Sequence, residues 1–167
     1  MLALIACAIY LPMLAEAIRA ARNERAQLAR GGVEPPGDVY TIMRVAYPAA
    51  FGAMLVEGAF RGIPQGGWLI VGAVVFAVAK ALKWWAIRAL GPAWTFRVVV
   101  VPGDRLISSG PYRFLRHPNY VGVVLELTGA AVMAHASVSG PLAIVLFGSL
   151  VIARISVENR ALDGSTR

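Results

Sequence analysis

Apolar residues run along the chain in five blocks, separated by two long polar connections and two short ones. Residues 62–79 and 136–153 hold no charged side chain, and each approaches the length a helix needs to cross the hydrocarbon core of a bilayer. Residues 1–15 are also uncharged and slightly shorter. Residues 39–60 carry Arg44 and Glu57, and residues 118–134 carry Glu126, but both blocks are otherwise apolar. The pattern predicts an all-α integral membrane protein with about five transmembrane helices, some spanning and some partly re-entrant. Pro48, Gly52 and Gly58 predict a kink in the second.

The polar connections add detail. Residues 20–38 read as a helix extension and then a loop, with Gly31-Gly32 and Pro35-Pro36 as the breakers. The third block continues into Lys80, Lys83, Trp84, Trp85 and Arg88, residue types that anchor a helix end at the membrane interface. Residues 91–109 contain a short β-like run, Val98–Val101, and a Pro102-Gly103 turn, and lie where they would cover a bound ligand. The organisation expected is one membrane domain over residues 1–167, with N-terminal helices in 1–90 and the chemistry in 91–167.

Composition agrees with the blocks: 58% of residues are hydrophobic and 15% charged, which excludes an ordinary soluble domain. The net charge of +7 is unevenly placed. Arg19, Arg22, Arg25 and Arg30 follow the first block, and Lys80, Lys83, Arg88, Arg97, Arg105, Arg113 and Arg116 lie between the third and fourth. Arg154, Arg160 and Arg167 close the sequence, whereas the connection near residues 135–141 has no Lys or Arg. The positive-inside rule then puts the N-terminus outside and the first and third connections in the cytoplasm. The Ala, Gly, Val and Arg bias suggests a GC-rich bacterial genome, and the membrane expected is then the bacterial inner (plasma) membrane. Topology accounts for the basic residues, so nucleic acid is not an expected partner. Cys7 is the single cysteine, read as a buried small residue, and no metal site is expected. Residues 1–15 lack the basic start of a signal peptide.

The sharpest polar feature is GPYRFLRHPNYVG at residues 110–122, with Arg154 and Glu158 following on the last block. His117-Pro118 is a helix start, because the residue before proline avoids helical geometry and proline suits the first turn. Unpaired N–H groups at such a terminus suit an anion. Arg154 and Glu158 are four apart and share a helix face, either as a simple ion pair or with separate jobs. Glu126 is costly inside a membrane, and either pairs with an arginine of the last helix or lines a tunnel. Glu57 with Arg61, and Glu16 with Arg19, read as end-of-helix pairs.

On Leu106-Ile107-x-Ser109-Gly110-x-Tyr112, Arg116-His117-Pro118-x-Tyr120-x-Gly122 and Arg154-x-x-x-Glu158, the chain resembles the isoprenylcysteine carboxyl methyltransferase family. The resemblance covers roughly the last 70 residues. It implies S-adenosylmethionine as cofactor in a cytoplasmic pocket formed by the C-terminal half. It implies cofactor contacts from Leu106, Ile107, Tyr112, His117, Pro118, Asn119, Tyr120 and Glu158, with Arg154 catalytic and facing the substrate. The implied partners are membrane lipid and a lipophilic or prenylated acceptor. Eukaryotic members have Glu where Val157 stands, a Phe-Gly-x-Glu-Tyr tail without counterpart here, and a cofactor-contacting glutamine where Arg97 aligns. The form with TFRVVVVPG ahead of the motif looks more like bacterial members, some similar to alkylpyrone O-methyltransferases. His-Pro-Asn-Tyr also occurs in NAD(P)H-dependent membrane sterol reductases, which with a non-catalytic membrane protein are the competing classes.

Overall fold

A computed structural model describes the chain apart from Ile63, Gln65, Arg105, Leu106, Thr166 and Arg167, with side chains described as far as Ala161. Five α-helices follow the five apolar blocks: α1 (Leu2–Ala29), α2 (Tyr40–Arg61), α3 (Trp68–Leu90), α4 (Pro118–Met133) and α5 (Ser139–Ser165). Short 3-10 turns occupy Gly91–Ala93 and Gly110–Arg113. The protein is thus an all-α membrane protein. Leu2–Ala29, Trp68–Ala93 and Ser139–Ala161 are long and apolar enough to cross a bilayer. At 22 residues α2 is about 33 Å long, enough for a hydrocarbon core of about 30 Å; at 16 residues α4 reaches only about 24 Å.

The core joins all five helices through Ile9, Phe51, Met54, Phe76, Leu127, Phe147 and Val151. Leu11, Phe60, Ile70, Val145 and Ile152 point outward, where lipid receives them. Lipid is as apolar as these side chains, so helix contact depends on close packing rather than on the hydrophobic effect. The α3–α4 contact meets that need with Gly72 facing Gly129. A Cβ on Gly129 would lie 2.6 Å from the Phe76 backbone nitrogen. Cys7 belongs to the outward face and is exposed, contrary to the buried position expected for it.

An ionic cluster ties α1, α2, α3 and α4 together inside the bundle. Lys80 Nζ lies 3.0 Å from Glu16 Oε1 and 3.1 Å from Glu126 Oε2. Lys83 Nζ lies 2.7 Å from Glu16 Oε2 and 3.4 Å from Glu126 Oε2. The Tyr47 hydroxyl donates to Glu126 Oε2. Two ammoniums therefore balance two carboxylates, which is how buried charge is tolerated at membrane depth. Three sequence expectations change. Glu16 pairs across the bundle rather than with Arg19, Lys83 is buried rather than an interface anchor, and Glu126 binds lysines of α3 rather than an arginine of α5. Glu57 and Arg61 do pair, at 2.7 Å.

The polar half of α1 docks on the connection after α3. Asn23 Nδ2 donates to the Gly91 and Trp94 carbonyls, and Gln27 Nε2 to the Pro92 carbonyl. These bonds fix the turn that follows α3 against the side of α1. Further on, Val33 and Val100 exchange both backbone hydrogen bonds in an isolated antiparallel bridge. The β-like run thus folds onto the first polar connection.

Candidate functional site

The GPYR turn is locked before the site begins. Gly110 has φ +59°, and a Cβ there would lie 2.8 Å from Ala89 Cβ and 3.2 Å from Trp85 Nε1. Only glycine adopts that backbone freely against the end of α3. The turn places Pro111 inside and Tyr112 half-buried. His117 then caps α4 with non-helical backbone, and Pro118 is buried in the first turn, as the sequence predicts.

From this junction three side chains meet. Arg154 Nε donates to the Tyr120 hydroxyl at 3.1 Å, and that hydroxyl donates to Glu158 Oε2 at 2.9 Å. His117 Nδ1 is 3.9 Å from the same Glu158 oxygen, and its ring lies 5.7 Å from that of Tyr120. Burial pushes the Tyr112 phenol above its ordinary range, and the Glu158 carboxylate pushes it further. Tyr112 therefore belongs to the same electrostatic neighbourhood as a neutral phenol. Asn119 Oδ1 accepts from Trp94 Nε1 at 3.3 Å, which joins the start of α4 to the 91–109 connection. Among the described residues no ion pair links Arg154 to Glu158; Tyr120 stands between them.

Arg154 is almost fully buried, and all three of its guanidinium nitrogens donate within the chain. Besides Tyr120, it binds Asp38 Oδ1 through Nη1 at 2.5 Å and the Phe96 carbonyl through Nη2. Asp38, which the sequence marks only as the end of the first polar connection, also accepts from the Tyr40 N–H at 3.0 Å just ahead of α2. Its other oxygen accepts from the Val98 N–H at 3.0 Å. Arg97, the residue aligned with a cofactor-binding glutamine, is instead paired with Glu34 at 2.9 Å and Glu24 at 3.3 Å. Ile107 is half-buried on the approach to the turn, and Leu106 lies outside the described residues.

The cluster offers the Glu158 carboxylate, a buried guanidinium paired with Asp38, and a set of tyrosine and histidine rings. A carboxylate beside a ring of aromatics suits a cation or a group rich in hydroxyl and amino protons.

The isoprenylcysteine carboxyl methyltransferase (ICMT) family model matches residues 70–164, which includes Tyr112, His117, Tyr120, Arg154 and Glu158 but not Asp38. A Bacillus subtilis protein named "Uncharacterized protein YpbQ" is 30% identical over 150 residues, 89% of each chain. A Haemophilus influenzae protein, also named as uncharacterized, is 22% identical over 143 residues, 85% of this chain and 83% of its own. No solved structure matches the chain.

Proposed function

The chain belongs to the isoprenylcysteine carboxyl methyltransferase family and is a membrane methyltransferase, and from that premise we propose that it methylates an anionic oxygen of a lipophilic acceptor using S-adenosylmethionine. The observation that carries this reading is the Arg154–Tyr120–Glu158 relay at the start of α4, with Tyr112 and His117 beside it.

The donor set fits the cofactor. Glu158 accepts protons from its ribose or amino groups, and the rings of Tyr112, Tyr120 and His117 suit a positive sulfonium. The first turn of α4, with Pro118, Asn119 and Tyr120, offers the positive end of the helix to the methionyl carboxylate. Ile107, on the approach to the turn, is placed to add a backbone contact, and the family resemblance assigns the same role to Leu106. When bound, S-adenosylmethionine provides a methyl group already activated for in-line displacement.

The protein's part is then alignment and exclusion of water. A carboxylate or acidic enol is ionised near neutral pH, so no side chain has to take its proton. Arg154 holds that anion, and its planar guanidinium can present two N–H groups to two oxygens. The Tyr120 hydroxyl fixes Arg154 relative to Glu158, so acceptor and cofactor share one reference point. The acceptor's apolar tail lies in lipid while the polar groups meet in the bundle. The arginine distribution supports a cytoplasmic face for this site, in what we take to be a bacterial inner membrane.

The test is incubation of the purified protein with methyl-labelled S-adenosylmethionine and two acceptors, a farnesylcysteine analogue and a long-chain alkylpyrone. Label in a base-labile ester identifies a carboxylate acceptor, and label in a stable enol ether identifies an enol. Label in neither, with turnover of NADPH against a sterol-type substrate, would move the protein to the reductase class.

A further inference from the structure

Arg154 is the residue assigned to the acceptor, yet its charge is already matched. Asp38 Oδ1 lies 2.5 Å from Nη1, and the side chains of Arg154 and Asp38 are only 6% and 13% exposed. The Phe96 carbonyl and Tyr120 hydroxyl take the other two nitrogens. A second carboxylate brought to this guanidinium would meet Asp38 at close range, and like charges at that distance oppose one another strongly in a buried site. Two carboxylates on this one buried guanidinium leave an unbalanced negative charge, so an anionic acceptor and Asp38 compete for it.

Besides Arg154, Asp38 holds the Tyr40 and Val98 N–H groups, and an incoming anion must release those bonds as well. Asp38 ends the Pro35-Pro36-Gly37 strap, whose Gly37 has φ +85° and is exposed. The strap is fastened upstream by the Val33–Val100 bridge and the Glu34–Arg97 pair. Between strap and α5 lies a cleft of about 520 Å³, walled by Pro35, Pro36 and Gly37 on one side and Val157, Arg160 and Ala161 on the other. Val157 and Ala161 follow Arg154 at one- and two-turn spacing, so the cleft opens on the same side of α5. Arg160, free of carboxylates among the described residues, stands on that wall as a second cation.

We propose that Asp38 is a built-in stand-in for the acceptor: the strap holds Arg154 closed with a carboxylate of its own, and an amphiphilic acceptor whose head is a carboxylate or enolate takes Asp38's place through the strap–α5 cleft. This rests on the assignment of Arg154 to the acceptor made above. Its consequence is selectivity. A neutral amphiphile offers Arg154 no charge to replace that of Asp38, so displacement favours an anion.

The experiment uses the full chain in lipid nanodiscs with saturating S-adenosylhomocysteine. Three probes are titrated by calorimetry: N-acetyl-S-farnesylcysteine, its neutral methyl ester, and a long-chain alkylpyrone. Asp38→Ser removes the competing charge and keeps an oxygen for the Tyr40 N–H. At least one of the two anions should bind this variant fivefold or more tighter than the unaltered protein, with the ester and S-adenosylhomocysteine unmoved. Weaker or unchanged anion affinity, an equal gain for the ester, or no anion binding at all overturns the proposal. A failure of S-adenosylhomocysteine to bind the unaltered protein would sink the methyltransferase reading and the stand-in with it. Normal cofactor-product binding without the gain in anion affinity removes the stand-in alone. If Asp38→Ser does not fold, hydrogen exchange on the unaltered protein decides. Bound anion should speed exchange of the Val98 amide, which loses Asp38 Oδ2, and unchanged or slower exchange overturns the idea.

Discussion

Replacing Lys83 with methionine tests the energetics of the bundle. Lys83 is 3% exposed and touches both Glu16, at 2.7 Å, and Glu126, at 3.4 Å. Methionine matches its length, so the change is chiefly in charge. The cluster passes from two cations and two anions to one cation, Lys80, between two carboxylates. One negative charge is left without compensation at membrane depth. Removing one partner of a buried pair costs about 3–5 kcal/mol. A lone ionised carboxylate at the centre of a membrane helix costs about 2.5–3.5 kcal/mol on insertion scales. The two estimates meet at about 3 kcal/mol. The assay is unfolding of the protein in mixed micelles, followed by helical circular dichroism, for Lys83→Met and for the pair Lys83→Met with Glu16→Gln. The double variant restores neutrality and should recover at least half of the loss. A loss below about 1 kcal/mol in the single variant, at the level of an exposed pair, would refute the reasoning. So would a double variant no better than the single, because the defect would then be packing rather than charge.

The relay makes separable predictions for its two charged ends. Glu158→Gln should weaken S-adenosylhomocysteine binding measured by calorimetry, while Arg154→Lys should leave that binding near normal and lower turnover, since lysine keeps charge but loses the fork geometry. In a Cys7→Ser background, cysteine at Ala26 should be shielded from an impermeant thiol reagent in intact cells and cysteine at Ser137 labelled; both positions are exposed, and the reverse pattern would invert the orientation. Gly129→Ala should destabilise by about 1–3 kcal/mol, because its Cβ meets the Phe76 backbone rather than a movable side chain, and a neutral result in the unfolding assay would deny the close α3–α4 contact.

Much of the helical layout was legible because lipid imposes a length and a polarity on each span. Pro118 entered helix α4 where the proline rule places it, and the GPYR glycine took the left-handed backbone that its neighbours require. The long-range pairing was not legible. Glu16 has Arg19 three residues away, and local spacing favours that partner; only the packing of α1 on α3 reveals Lys80 and Lys83 instead. Lys83 next to Trp84-Trp85 looks like an interface anchor, since sequence carries no measure of depth. Asp38 was missed for a related reason. A single acid after Pro-Pro-Gly signals a turn, and nothing local indicates an arginine 116 residues further on. The family pattern carried Arg154 and Glu158 as a pair on one helix, but the bridging role of the Tyr120 hydroxyl needed the start of α4 laid against α5.

The central claim is that the α4 junction holds S-adenosylmethionine. Its most direct test is thermal unfolding of the detergent-purified protein with S-adenosylhomocysteine or with NADPH, for the unaltered chain and for His117→Ala and Tyr120→Ala. A ligand at 100 times its dissociation constant adds about 2.7 kcal/mol to the unaltered protein. Stabilisation by S-adenosylhomocysteine, none by NADPH, and loss of the effect in both variants is the predicted result. Stabilisation by NADPH alone, or an undiminished S-adenosylhomocysteine effect in both variants, would contradict it.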